Sequence, residues 1–194
     1  NVGAFRFYLE QGFYLAGYVA ASLSKTGTVA MIGGDKVPSI QSTFKGFRAG
    51  AEAAKPGIKV IEVFTGNGQD VAAAKLATSQ AIKEGADYVI HQANAAAQGV
   101  FDACKEGNAY AFGANLNQND NPSGIILASA TIVAEPAFLN LAKQVKDGSY
   151  KGSIVLQGMT EGAIDFVFNP VLADKIPADL RKKIEDLTVE IKAG

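Results

Sequence analysis

Residues 85–94 read Gly-Ala-Asp-Tyr-Val-Ile-His-Gln-Ala-Asn, and they restrict the possible folds more than any other stretch of the chain. A Gly-Ala-Asp turn leads into the apolar run Tyr88, Val89, Ile90, which ends in the hydrogen-bonding groups of His91, Gln92 and Asn94. That is the pattern of a buried strand whose carboxyl end opens onto something polar. The unit recurs on both sides. Residues 28–32 (Thr-Val-Ala-Met-Ile) end in Gly33-Gly34-Asp35-Lys36, and residues 58–64 end in Thr65-Gly66-Asn67-Gly68. Residues 109–112 end in Gly113-Ala114-Asn115. Four such strands predict a parallel sheet with a site along one edge, because ligands of open α/β sheets bind outside the carboxyl ends of the strands.

Helical spacing fills the intervals. Residues 1–9 read as an extended segment. Residues 10–24 carry Phe13, Leu15, Ala16, Val19, Ala20 and Leu23 at helical spacing, and Gly27 stops them. Residues 37–55 predict a long helix with Pro38 in its first turn and Ile40, Phe44, Phe47, Ala51 and Ala54 on one face. Asp70 suits the N-cap of a helix over 71–83. A further helix spans 95–106. Regular strand–helix alternation predicts βαβ crossovers and a doubly wound, Rossmann-like sheet.

After residue 114 the pattern changes. Residues 115–124 are a polar loop, 125–133 a strand, and Glu135-Pro136 opens a helix to Lys146. Residues 153–158 and 163–168 read as a strand pair around Met159-Thr160-Glu161-Gly162. Residues 177–192 predict a charged amphipathic helix forming a solvated outer layer.

Composition narrows the function. The 194 residues suffice for one domain of ordinary size. A formal net charge of −1 gives no basic face for nucleic acid. No stretch is long and apolar enough to span a bilayer. The single cysteine, Cys104, excludes an internal disulfide and a cysteine-rich zinc site, and it reads as a small core residue. One histidine excludes a multi-histidine metal site. No HExxH, GxSxG or CxxC motif is present. The chain opens on Asn1-Val2-Gly3-Ala4-Phe5-Arg6 without signal-peptide character, which suggests a processed or truncated chain.

Two glycine-rich turns invite a phosphate reading, but neither completes a motif. Residues 33–36 lack the GxxxxGK[ST] pattern, and Gly66-Asn67-Gly68 lacks a third glycine and is followed by Asp70, which would repel phosphate. They read as tight strand-to-helix turns that also allow close backbone approach to a ligand. His91, Gln92 and Asn94 are the sharper candidates. They either bind a ligand, cap neighbouring backbone, or, for His91, form a satisfied interior residue. Asn115 and Asn117 are either turn formers or neutral ligand groups. Such groups suit a neutral polar ligand such as a nucleobase, a ribose or a polyol. Nothing calls for a cofactor, a metal or a catalytic group. The aromatic cluster Phe5, Phe7, Tyr8, Phe13 and Tyr14 reads as packing of the first helix.

At this point the residues carry a resemblance. Glu10-Gln-Gly-Phe-Tyr-Leu-Ala-Gly-Tyr-Val-Ala-Ala21 followed by residues 25–34 is similar to the middle of the basic membrane protein family. These are the purine-nucleoside-receptor-like substrate-binding proteins of ABC transporters. Val37-Pro-Ser-Ile40, Phe44-Lys-Gly-Phe-Arg-Ala-Gly50, Gly85–His91, Gly99-Val-Phe101 and Gly113-Ala-Asn-Leu-Asn-Gln118 continue the resemblance in order. It runs at least through residues 10–168.

The resemblance implies a type I periplasmic binding fold, with two Rossmann-like lobes joined by crossovers and closing on a ligand. It also implies export to the periplasm or cell surface, often as a lipoprotein, an ABC permease as partner, and an N-terminal lobe outside these residues. Residues 1–24 would then hold a crossover and the first helix, and 25–114 the ligand-binding lobe. Residues 115–194 would hold crossovers, further strands and the terminal helix, with the loop at 115–124 in a crossover. The family's ribose-binding aspartate falls on Asn115 and its second acid on Asn117. The family's glycine-rich strand end falls on residues 91–97, here rich in alanine. A purine-stacking aromatic would fall near Asn67 and Gly68, and a lysine near Ile132; neither is present.

The residues expected to contact ligand are therefore Asn67, His91, Gln92, Asn94, Asn115 and Asn117. An effector-sensing domain of a transcriptional regulator shares the same fold and is the alternative, although residues 1–194 contain no basic helix-turn-helix segment. A flavodoxin-like or nucleotide-dependent enzyme would need a phosphate loop or a catalytic group. A lone lobe would expose its partner-facing surface, so self-association is expected.

Overall fold

A computed structural model describes residues 2–194. The chain enters through β1 (Ala4–Phe7), forms α1 (Glu10–Leu23), and then alternates. β2 (Thr28–Gly33), α2 (Pro38–Ala54), β3 (Lys59–Phe64), α3 (Val71–Lys83), β4 (Tyr88–Gln92), α4 (Ala97–Glu106) and β5 (Tyr110–Asn115) follow. Next come β6 (Ile126–Ile132), α5 (Glu135–Asp147), β7 (Ile154–Gln157), β8 (Ile164–Phe168) and α6 (Ala178–Ala193).

Six strands form one sheet in the order β3-β2-β4-β5-β6-β8, parallel throughout except for antiparallel β8. This is the doubly wound α/β architecture expected from the alternation. β2 is buried along its whole length and is apolar but for Thr28, as a parallel strand covered on both faces requires. β3, at the edge, keeps Lys59 and Glu62 exposed, which blunts pairing with another chain. Side chains alternate between two cores. Val29, Met31, Tyr88, Ile90 and Phe112 face α1, α2 and α6. Ala30, Ile32, Val89, Ala111 and Ile126 face α3 and α4.

Glycine sets the closest helix contact. A Cβ on Gly17 of α1 would lie 2.0 Å from the Phe47 carbonyl oxygen, and one on Gly50 of α2 would lie 1.9 Å from that of Tyr14. Any side chain at either position would push the two helices apart. Asp70 caps α3 as expected, accepting from the Ala73 amide at 2.9 Å.

Three sequence expectations are corrected. Residues 153–158 and 163–168 do not pair with each other. β7 lies parallel to β1 in a separate two-stranded sheet, while β8 joins β6 in the main sheet. The turn at 159–162 is therefore a passage between sheets, held where Gln11 Oε1 accepts from the Met159 amide at 2.8 Å. The loop at 115–124 does not leave the lobe, because the strands it joins, β5 and β6, are neighbours in one sheet. α6 is more than an outer layer, since Ile184 and Leu187 are buried in the core that includes α1.

β1, β7 and α5 make a small second unit. α5 has no buried residue, and Phe138 meets Phe5 edge-on at 5.3 Å between ring centres. The chain passes between the unit and the main lobe at residues 8–9, 133–134 and 158–163. The first and third passages run side by side, with the Tyr8 amide donating to the Gln157 carbonyl at 2.8 Å.

Candidate ligand-binding cleft

β4 and β5 are neighbours, so their carboxyl-terminal residues, Gln92 and Asn115, come together. Each side chain donates to the other. Asn115 Nδ2 donates to Gln92 Oε1 at 3.0 Å, and Gln92 Nε2 donates to Asn115 Oδ1 at 3.3 Å. Asn115 has φ +69 and Asn94 has φ +47. Asparagine is among the few residues with a side chain that enter this left-handed region readily. The turn at Asn115 takes the chain off the strand while its amide remains against Gln92.

Gln92, Asn94 and Asn115 line one cleft of about 410 Å³. β1 supplies another wall through Phe5, Arg6 and Phe7, and the start of α2 supplies Ser39 and Thr43. Ile132, next to the second passage, also borders it. The cleft therefore lies at the strand ends, between the main sheet and the segments leading to the small unit. A second hollow, about 120 Å³ between α5 and the β1–β7 pair, is smaller, shares only Phe5 with the cleft and borders none of the main sheet's strand ends.

Charge in the cleft is balanced locally. Arg6 pairs with Glu10 at 2.5 Å, donates to Ser42 Oγ at 3.3 Å, and also donates to the Phe7 carbonyl. The remaining polar groups are amides and hydroxyls, which present both donors and acceptors. Among the described residues, no group of three His, Cys, Asp or Glu side chains is arranged to hold a metal ion.

The other expected residues lie elsewhere. His91 precedes Gln92 on β4, so strand alternation sends its ring to the opposite face of the sheet. There it is 2% exposed and meets Phe101 edge-on. Its Nε2 lies 2.8 Å from Gln118 Oε1, and the Ala93 amide donates to its Nδ1 at 3.4 Å. Burial pulls its pKa down to about 4, with the Gln118 bond opposing the shift. Of the readings the sequence left open, the structure gives His91 the satisfied interior one. Asn67 is spent on its own turn, where its Oδ1 accepts from the Gln69 amide at 2.8 Å. Its neighbour Gly68 lies against Asn94, and neither Asn67 nor Gly68 borders the cleft. Asn117 Oδ1 accepts from the Asn119 amide at 3.1 Å and borders a separate surface hollow with Asn169.

Sequence reasoning missed Arg6, Ser39 and Thr43. Ser39 and Thr43 were within reach, since they follow a strand-end turn, Gly33-Gly34, at the opening of a helix. Arg6 carried no comparable signal, because its place depends on β1 pairing with β7, 147 or more residues away in sequence.

A doubly wound lobe with a polar cleft at its strand ends, bordered by passages to a second β unit, defines a type I periplasmic-binding-protein fold. A solute-binding protein of an ABC transporter system from Aeropyrum pernix K1 superposes with TM-score 0.90 at 20% identity. The match covers 100% of this chain and 65% of that one. A transcriptional activator of the comK gene from Bacillus halodurans superposes with TM-score 0.81 at 22% identity, covering 96% of this chain and 62% of the other. The chain belongs to the Bmp family of PnrA-like ABC transporter substrate-binding proteins, whose model matches residues 1–194. Basic membrane protein A2 of Borrelia garinii subsp. bavariensis is 28% identical over 195 residues, covering 98% of this chain and 57% of that protein. The chain thus spans little more than half the length of such relatives.

Proposed function

We propose that these residues form the greater part of the substrate-binding component of an ABC importer. The ligand is a small neutral polar molecule, such as a purine nucleoside or nucleobase, held at the carboxyl ends of β4 and β5. The observation that carries this reading is the convergence of Gln92, Asn94 and Asn115 on one cleft beside the passages to the small unit. Amides offer donor and acceptor edges to a base or a ribose, and Arg6 is already neutralised by Glu10. A ligand that touched both the strand ends and β1 would favour a closed arrangement over an open one, and the closed form would dock on a permease. Family membership supports export to the periplasm or cell surface, with a lipid anchor in the whole protein. Among the described residues, no helix is long and apolar enough to cross a membrane.

Calorimetric titration of the 194-residue chain with inosine, guanine and ribose tests the reading. Uptake of inosine or guanine that is lost in Gln92→Ala supports it. No heat from any of the three, in a chain shown to be folded, counts against it.

The fold shared with the comK activator supports a second reading, an effector-sensing domain of a regulator. The family match over residues 1–194 favours the importer. A basic DNA-binding segment upstream in the gene would reverse that preference.

A further inference from the structure

His91 does not reach the cleft, yet it touches the element that shapes it. Gln118 Oε1 sits between His91 Nε2 and the Ala114 amide, at 2.8 and 2.9 Å. The Ala114 N–H is a fixed donor, so the Gln118 atom facing both groups is its oxygen, and the His91 nitrogen facing that oxygen carries the proton. The Ala93 amide, another fixed donor, points at Nδ1 and makes that nitrogen the acceptor. Both contacts specify the same neutral tautomer. The bridge then continues into β6: the Gln118 backbone N–H donates to Ser129 Oγ at 3.0 Å, and Ser129 Oγ donates to Asn119 Oδ1 at 2.8 Å. Gly113 makes room for it, since a Cβ there would lie 2.4 Å from Ser129 Oγ and 3.0 Å from Gln118 Cβ.

The residue immediately after Ala114 is Asn115, whose left-handed backbone carries the amide that meets Gln92. We infer that His91 is a positioning residue for the cleft. Through Gln118 it fixes the backbone at Ala114, and so sets where Asn115 and Gln92 present their remaining donors and acceptors. The inference rests on the reading that this amide pair contacts ligand, but its structural part can be measured without one.

The test uses the full chain, labelled with ¹⁵N and free of ligand. The wild-type imidazole should show the Nε2–H tautomer. His91→Phe keeps a ring against Phe101 and removes the bond to Gln118. In that variant the side-chain amide signals of Asn115 and Gln92 should shift, and exchange of the Ala114 amide should quicken about tenfold. His91→Gln, which restores a donor near the Nε2 position, should return both toward wild type. Inosine affinity should fall about tenfold in His91→Phe and recover in His91→Gln. Gln118→Ala removes the same bridge from the loop side and should reproduce the changes if the Phe variant does not fold. An Nδ1–H tautomer in the wild type overturns the inference. So do unchanged Asn115, Gln92 and Ala114 signals in a folded variant. Failure of the wild type to take up inosine would count against the proposed ligand, while the amide signals would still decide the positioning role.

Discussion

Gln92 and Asn115, 23 residues apart in sequence, close a reciprocal pair of amide hydrogen bonds across the ends of two adjacent strands. Each uses one donor and one acceptor site on its partner, and each keeps one N–H for the cleft. The pair places two neutral, bifunctional groups side by side, and Asn115 is the position where the resemblance read from the sequence implies an aspartate.

That difference predicts a gain of function. Asn115→Asp keeps the oxygen that accepts from Gln92 Nε2, gives up the Nδ2 donor to Gln92 Oε1, and turns that second atom into a charged acceptor for ligand hydroxyls. Aspartate tolerates the left-handed backbone at this position. Affinity for inosine should rise about tenfold, because a hydrogen bond to a carboxylate is roughly twice as strong as a neutral one. Affinity for the free base should not change. Parallel titrations with inosine and hypoxanthine check both, and equal changes for the two would place the ribose elsewhere.

Acid should weaken the fold through one identifiable group. His91 is the chain's single histidine, and burial lowers its pKa from 6.5 to about 4. Between those values the unfolded chain takes up a proton that the folded chain refuses. The contribution is therefore complete above pH 6.5 and lost as pH falls toward 4. Its size is on the order of 3 kcal/mol. Urea midpoints at pH 7 and 5 should differ in the wild type, and they should differ much less in His91→Gln. Similar slopes in both proteins would assign the acid sensitivity to carboxylates.

Packing around Gly113 predicts a steric effect. Gly113→Ala would force its methyl group into Ser129 Oγ and Gln118, so the loop or the strand must move. A loss of about 1–3 kcal/mol is expected, the usual range for overpacking a filled interior. Thermal denaturation should show it. A neutral outcome would mean that the Gln118 loop yields easily, and that Asn115 is held by something else.

Among the described residues, the β1–β7 pair has two open edges and an apolar surface. Ile154 is 72% exposed and Leu156 52%. Unpaired edges of this kind template pairing with other chains. Sedimentation should therefore show association that grows with concentration, and Leu156→Lys should shift the protein toward monomer. A monomer at every concentration would show that the edges are too short to pair.

The main lobe was legible because its signals are local. The runs at Tyr88, Val89 and Ile90 and at residues 28–32 are continuous and apolar, and Asp70 announces the helix it caps. The pairing of β7 with β1 was not legible, since no local pattern links residues 4–7 with residues 154–157. The same holds for Arg6. In the cleft, strand ends drew attention to Gln92, Asn94 and Asn115. Counting hydrogen-bonding residues could not separate His91 from Gln92, although the period of two already placed them on opposite faces. Asn67 and Asn117 lie off this cleft, and each side chain accepts from the backbone amide two residues on, as asparagine commonly does in turns, a reading the sequence offered for Asn117.

The side-by-side passages at residues 8–9 and 158–163 act on the cleft as a two-ply band. Tyr8 and Gln157 share a backbone hydrogen bond, and Gln11 grips Met159 just beyond it. A band joined across its width flexes in one direction and resists shear. If the small unit tilts, β1 swings like a door on a strip hinge, and Phe5, Arg6 and Phe7 approach or leave Gln92 together. The width of the cleft is thereby tied to the tilt of the small unit, because β1 supplies one of its walls.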